Sequence, residues 1–235
     1  MKKCLLALML LMGLATGAVA EDHFNLTPSG LNFHAFDNKL QASAGGIFFM
    51  DTAKLSSNAL NVNPGTWFSE IETFQNVTYD KVWNIYLEEH WLEHHKMSEY
   101  YLGYTLPTFQ AMAGQIPLNF GLNNNGNIED LDDLTFSMPS NAFAPPNALG
   151  AAISVNNEKW ALGLDAAGRS TSQNYKGHPP RTYVGRLIYV PFHRLRDVLH
   201  FGVDLYYQKP SGSNTWSFAT GPDLNMPSDV AFVDT

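Results

Sequence analysis

Two groups of residues in this chain are of types that do chemistry. Glu88-Glu89-His90-Trp91-Leu92-Glu93-His94-His95 contains His90-x-x-Glu93-His94, the order of an inverted zinc-protease motif. That chemistry needs both histidines on one helix face, with the glutamate beside a zinc-bound water. The residues before His90 alternate as a strand instead, so His90 falls on a strand face and His94 and His95 in the turn that follows. Adventitious binding by exposed histidines is the most such an arrangement supports, and no metal or other cofactor is expected. With no Gly-rich phosphate loop and no nucleophilic serine elbow in the chain, an enzyme is not expected either. The second group is Glu129, Asp130, Asp132 and Asp133, four carboxylates with no base among them. Such a row either lines a passage and sets its ion selectivity or sits at a solvated loop tip.

These acids lie in a segment, 118–147, that has almost no regular pattern and separates two strand candidates. A structureless connection of that length inside a compact domain is improbable unless it is functional or disordered. Phe120, Leu122, Leu131, Leu134, Phe136, Met138 and Phe143 make it too apolar for disorder. It is expected to pack against its scaffold.

The scaffold reads as strands. Residues 21–40 look like an irregular lead, and 41–51 give the first strand. Residues 69–79 and 82–91 form a hairpin around Asp80-Lys81, and 97–105 and the stretch from Phe109 follow. After the long loop come 148–155, 159–168, 181–190 and 198–208, with 229–233 as a possible start of another. Trp83, Ile85 and Leu87 share one face of their strand, opposite Asn84, Tyr86 and Glu88. In the last full strand Leu199, Phe201, Val203, Leu205 and Tyr207 oppose His200, Gly202, Asp204, Tyr206 and Gln208. The strict period of two is that of a strand with one apolar and one wet face.

Residues 1–20 have the three parts of a secretory signal peptide: Lys2-Lys3, an apolar run from Leu5 to Leu14, and Ala18-Val19-Ala20. Cys4 precedes the apolar run, which argues against a lipid-anchored cysteine. Removing these residues takes out two lysines and no acid, leaving 12 basic and 22 acidic groups, a net charge of −10. That balance argues against nucleic acid as a partner, because phosphate neutralisation needs a Lys/Arg surface. The remaining chain has no cysteine, so an exported protein must be held without disulfides.

Strands of about ten residues with one alternating apolar face and aromatic ends are the pattern of an antiparallel transmembrane β-barrel of outer-membrane type. A soluble β-sandwich is the competing class, but its strands are usually shorter and its apolar face is a core. Residues 41–235 are therefore expected to form the barrel domain, with short turns at the periplasmic end. The loops 52–68, 118–147, 169–180 and 209–228 then fall outside. On the barrel reading Glu88, Glu99, Asp165, Arg186, Lys159, His200 and Asp204 face the lumen, and Glu129, Asp130, Asp132 and Asp133 stand at the constriction.

With the strands in place, the segment from about Val82 onward resembles the phosphate-selective porin O and P family. The matching pieces are Tyr100-Tyr101-Leu102-Gly103-Tyr104, Gly114-Gln115-Ile116-Pro117 with Phe120-Gly121-Leu122, and Pro139-Ser140-Asn141-Ala142-Phe143-Ala144-Pro145 before Gly150. Gly185-Arg186-Leu187 through Pro191 and Leu199-His200-Phe201-Gly202 complete the set. The resemblance implies a homotrimeric, 16-stranded barrel in outer-membrane lipid that passes small solutes or ions by diffusion. It also implies that the third external loop, here 118–147, folds inward.

Where the family usually carries bases, this chain has Pro117, Ser137 and Asn147, and there is no Lys or Arg between Lys96 and Lys159. The expected channel is therefore weakly cation-preferring or non-selective. A phosphate- or anion-selective pore, as the resemblance implies, and a non-conducting structural or adhesive barrel are the alternatives. Nine strands, against the even number of a single-chain bacterial barrel, lead to the expectation that the chain is the first half of a longer barrel.

Overall fold

In a computed structural model, the structure describes residues 23–27, 30–53, 65–92, 96–121, 143, 145–169, 180–193, 198–209, 219–220 and 233–234. Its regular elements are strands: β1 (His23–Thr27), β2 (Gly30–Ala35), β3 (Leu40–Ala53), β4 (Gly65–Tyr79), β5 (Trp83–His90), β6 (Lys96–Leu106) and β7 (Phe109–Ile116). After the long loop come β8 (Ala148–Asn156), β9 (Trp160–Ala167), β10 (Arg181–His193) and β11 (Val198–Lys209). β1 to β11 form one sheet in which every strand pairs with its neighbour in sequence, antiparallel throughout. β12 (Ala219–Thr220) and β13 (Val233–Asp234) make a separate two-stranded ladder.

The nine strands read from the alternation are β3 to β11, and two more precede them. The described part of the lead expected to be irregular is strand: β1 and β2 pair from His23↔His34 to Thr27↔Gly30, and β2 pairs on with β3. Five- and six-residue strands are shorter than a membrane crossing, so their alternation of Phe24 and Leu26 with Asn25 and Thr27 carried little weight by length.

The short turns are gathered along one rim. Backbone hydrogen bonds join each to the next: Asp80 N–H to Lys39 O at 2.6 Å, Thr105 N–H to Val82 O at 2.8 Å, Asn156 N–H to Thr108 O at 3.0 Å, and Val190 N–H to Lys159 O at 2.8 Å. Asp80 and Lys81 both take positive φ, 52° and 59°, which lets the β4–β5 chain reverse within three residues. The loops 54–64 and 170–179 lie outside the described residues.

The two faces of the sheet differ as the alternation requires. On one face large apolar side chains are exposed, among them Ile85, Leu102, Ile153, Leu162, Leu164 and Leu187, with Val203 61% and Leu205 70% exposed. In water this would be a large apolar patch of a kind soluble monomers do not carry. Near the short-turn rim it ends in rings: Trp83 against Tyr104 at 4.8 Å and Trp160 stacked on Tyr189 at 4.1 Å between centroids. Aromatic girdles of this kind mark a bilayer interface.

The other face is polar and partly covered. The small buried cluster of the chain sits here: Ile116, Leu118, Ala148, Ala152 and Val184, with Tyr101, Met112, Phe120, Ala167 and Tyr206 against it. The chain leaving β7 has thus turned onto the sheet, and the packing lies between that segment and the wall.

Candidate functional site

The start of the long loop is fixed to the polar face by side chains from three successive strands. Asp165 on β9 accepts the backbone N–H of Asn119 at 2.6 Å and the Asn119 side-chain amide at 2.8 Å. Arg186 on β10 donates through Nη1 to Gly121 O at 2.7 Å. Asp204 on β11 accepts Gly121 N–H at 3.2 Å, and its other oxygen lies 3.6 Å from Arg186 Nε. Asp165, Arg186 and Asp204 share this face because register sets Arg186 opposite Gly163 on one side and Asp204 on the other. Asn119 lies over Gly163, its side-chain atoms 3.7–3.8 Å from where a Cβ would stand, an ordinary van der Waals distance.

These contacts give the loop residues what a buried, irregular segment needs, partners for its backbone groups. Leu118 and Phe120 add apolar packing between the polar anchors: Leu118 is buried, and the Phe120 ring lies 5.6 Å from that of Tyr206. The return of the loop is tied as well. Asn147 donates through Nδ2 to Glu99 Oε1 at 3.1 Å and to Ser98 O at 3.2 Å, and Gln115 donates to Met97 O and Ser98 O at 3.0 and 2.8 Å.

A second group of acids occupies the same face of β4, β5 and β6. Glu88 accepts from Tyr86 Oη at 2.7 Å and from Ser98 Oγ at 2.8 Å, and it faces Glu99 across the ladder. Tyr86 stacks on Tyr101 at 5.3 Å. Glu70 and Glu72 of β4 lie beside His90 of β5.

A family model described as phosphate-selective porin O and P matches residues 64–230. The chain belongs to this family. No curated protein matches it. Membership of an outer-membrane porin family fits a sheet of this kind: a β-barrel channel turns an apolar face to lipid and a polar face to its lumen. Porins of this family are channels rather than enzymes.

Several residues singled out in the sequence have a different setting from the one expected. Asp165 is 4% and Arg186 8% exposed, so both are anchors beneath the loop rather than open wall groups. Lys159 lies in the turn between β8 and β9, before the strand starts at Trp160, because Asn157 Oδ1 accepts the N–H groups of both Lys159 and Trp160. His200 is exposed on β11, and Glu88, Glu99 and Asp204 are half-buried. Glu93, His94, His95 and the four loop acids Glu129, Asp130, Asp132 and Asp133 lie outside the described residues. Sequence reasoning missed Glu70, Glu72 and Asn119, none of which stands in a motif, and it noted Gly121 only within the Phe120-Gly121-Leu122 piece, without a role.

Proposed function

We propose that this porin is the wall of a passive channel for small hydrophilic solutes or ions, with weak cation preference or none, working as a homotrimer after export by the signal peptide at residues 1–20. The charge on the polar face supports the selectivity. Arg186 is held by Gly121 O and lies beside Asp204, while Glu70, Glu72, Glu88 and Glu99 form no ion pair with a Lys or Arg among the described residues. Lys96 has a position on this face too, opposite His90 at the first residue of β6. Carboxylates lining a narrow passage draw cations, and a low-dielectric wall focuses their field. Glu129, Asp130, Asp132 and Asp133 add to that field in the loop that begins at the Asp165 and Arg186 anchors.

The family description favours a second reading, a phosphate-selective pore. Arg186 is the base it would draw on, provided that Asp204 releases it. Reversal potentials across planar bilayers under a salt gradient decide between the two. Cation preference or none is expected, with no block of chloride current by phosphate. Clear anion preference or saturable phosphate block overturns the proposal and establishes the second reading.

A further inference from the structure

We propose that Glu70, Glu72 and His90 form a binding site for a transition-metal dication of the zinc class on the polar face of β4 and β5. Glu70 and Glu72 are two residues apart on one strand and so share a face. Register sets His90 directly opposite Glu72. One oxygen from each carboxylate and one imidazole nitrogen lie within 4.8 Å of one another. These groups come from two paired strands, which are rigid supports for a ligand set.

The histidine supplies an independent observation. Its Nε2 lies 2.9 Å from Glu70 Oε1 and is shielded from solvent, yet it is aligned for a hydrogen bond with neither that oxygen nor any other described atom. A buried nitrogen that stops beside a carboxylate without pointing at it is set for a partner that both can hold. Lys96, the base nearest in register, makes no ion pair with either glutamate among the described residues. A dication between the three groups would satisfy the nitrogen and neutralise both carboxylates.

Three protein ligands with an open fourth position suit tetrahedral zinc. Bonds of about 2.1 Å put donors on such an ion about 3.4 Å apart, so small glutamate rotations that open the 2.9 Å His90–Glu70 pair and draw in donors spread over up to 4.8 Å reach that spacing. One imidazole among the donors favours zinc over magnesium or calcium, which prefer oxygen alone. The His90-x-x-Glu93-His94 order plays no part: His90 is used, but its partners come from the neighbouring strand.

That a bound ion would stand in a conducting lumen rests on the pore reading above, whereas the binding does not. Titration calorimetry of the folded protein in detergent, with zinc chloride alone, tests the site. One saturable site per chain is expected. His90→Ala and Glu72→Gln should each weaken it tenfold or more, and replacing His94 and His95 together should leave it unchanged. No saturable binding, unchanged affinity in His90→Ala, loss on replacing His94 and His95, or equal competition by calcium would overturn the proposal. Circular dichroism in detergent checks that each variant keeps the β-sheet of the parent, and His90→Gln, closer in size, substitutes if His90→Ala does not. In bilayers, zinc should lower the cation current of the parent protein but not that of the His90 variant. Zinc binding without any effect on current would leave the site standing and count against the pore reading.

Discussion

Asp165 takes both the backbone N–H and the side-chain amide of Asn119, at 2.6 and 2.8 Å, across 46 residues of sequence. A carboxylate on one strand thereby sets where the long loop leaves the rim and enters the polar face. Its removal should be felt in two ways at once. Asp165→Ala strips the acceptor from two sheltered donors, a loss of about 1–3 kcal/mol for each group left without a partner. It also frees the loop entry, so larger and noisier single-channel conductance is expected beside a lowered unfolding temperature. Asp165→Asn keeps one acceptor and should fall between. Unchanged conductance in Asp165→Ala would remove the anchoring role.

Selectivity should turn on the neighbouring pair. Asp204→Asn leaves Arg186 without its counter-charge, 3.6 Å away at present. The reversal potential is expected to move toward anions, and a phosphate block that the parent protein lacks should appear. Glu88→Gln and Glu99→Gln should move it in the same direction by removing charge from the wall. A shift toward cations in any of the three contradicts the assignment of this face to the lumen.

The assignment of faces has its own test on β11. Val203 stands on the apolar face, 61% exposed, and an arginine there near the bilayer midplane should cost about 2–4 kcal/mol. Gly202 has the opposite parity, and nothing lies within 4 Å of where its Cβ would stand. Gly202→Arg is expected to fold into lipid vesicles with little loss. Equal tolerance at the two positions, measured by urea titration in vesicles, would refute the faces.

Gly114 should tolerate no side chain. Its φ is 148°, and a Cβ would collide with Tyr100 O and come 2.6 Å from Tyr101 Cα, both backbone atoms of the paired strand. Gly114→Ala must push β6 and β7 apart beside buried Gln115, whose amide holds Met97 O and Ser98 O. A loss of about 1–3 kcal/mol is expected from the backbone conformation alone, read as a lower unfolding temperature by circular dichroism.

Period-two alternation by itself determined the class of this protein. Leu199, Phe201, Val203, Leu205 and Tyr207 set against Asp204, Tyr206 and Gln208 need no tertiary contact to declare a strand between lipid and water, because side-chain direction in a strand is local. The pieces around Gly103, Gly114 and Arg186 likewise carried the family. Tertiary structure decided which distant residues meet. Nothing in the local sequence of Asp165 says that Asn119 is its partner, nor that Gly121 and Asp204, 83 residues apart, share a hydrogen bond. Those meetings follow from strand register accumulated over β7 to β11, and register is fixed by pairing across the whole sheet. Hence Asp165 and Arg186 read from sequence as open wall groups and in the fold lie beneath the loop. His90 gives the same lesson from the other side: along the chain its partners look like Glu93 and His94, and only the β4–β5 ladder sets Glu72 opposite it and brings Glu70 alongside.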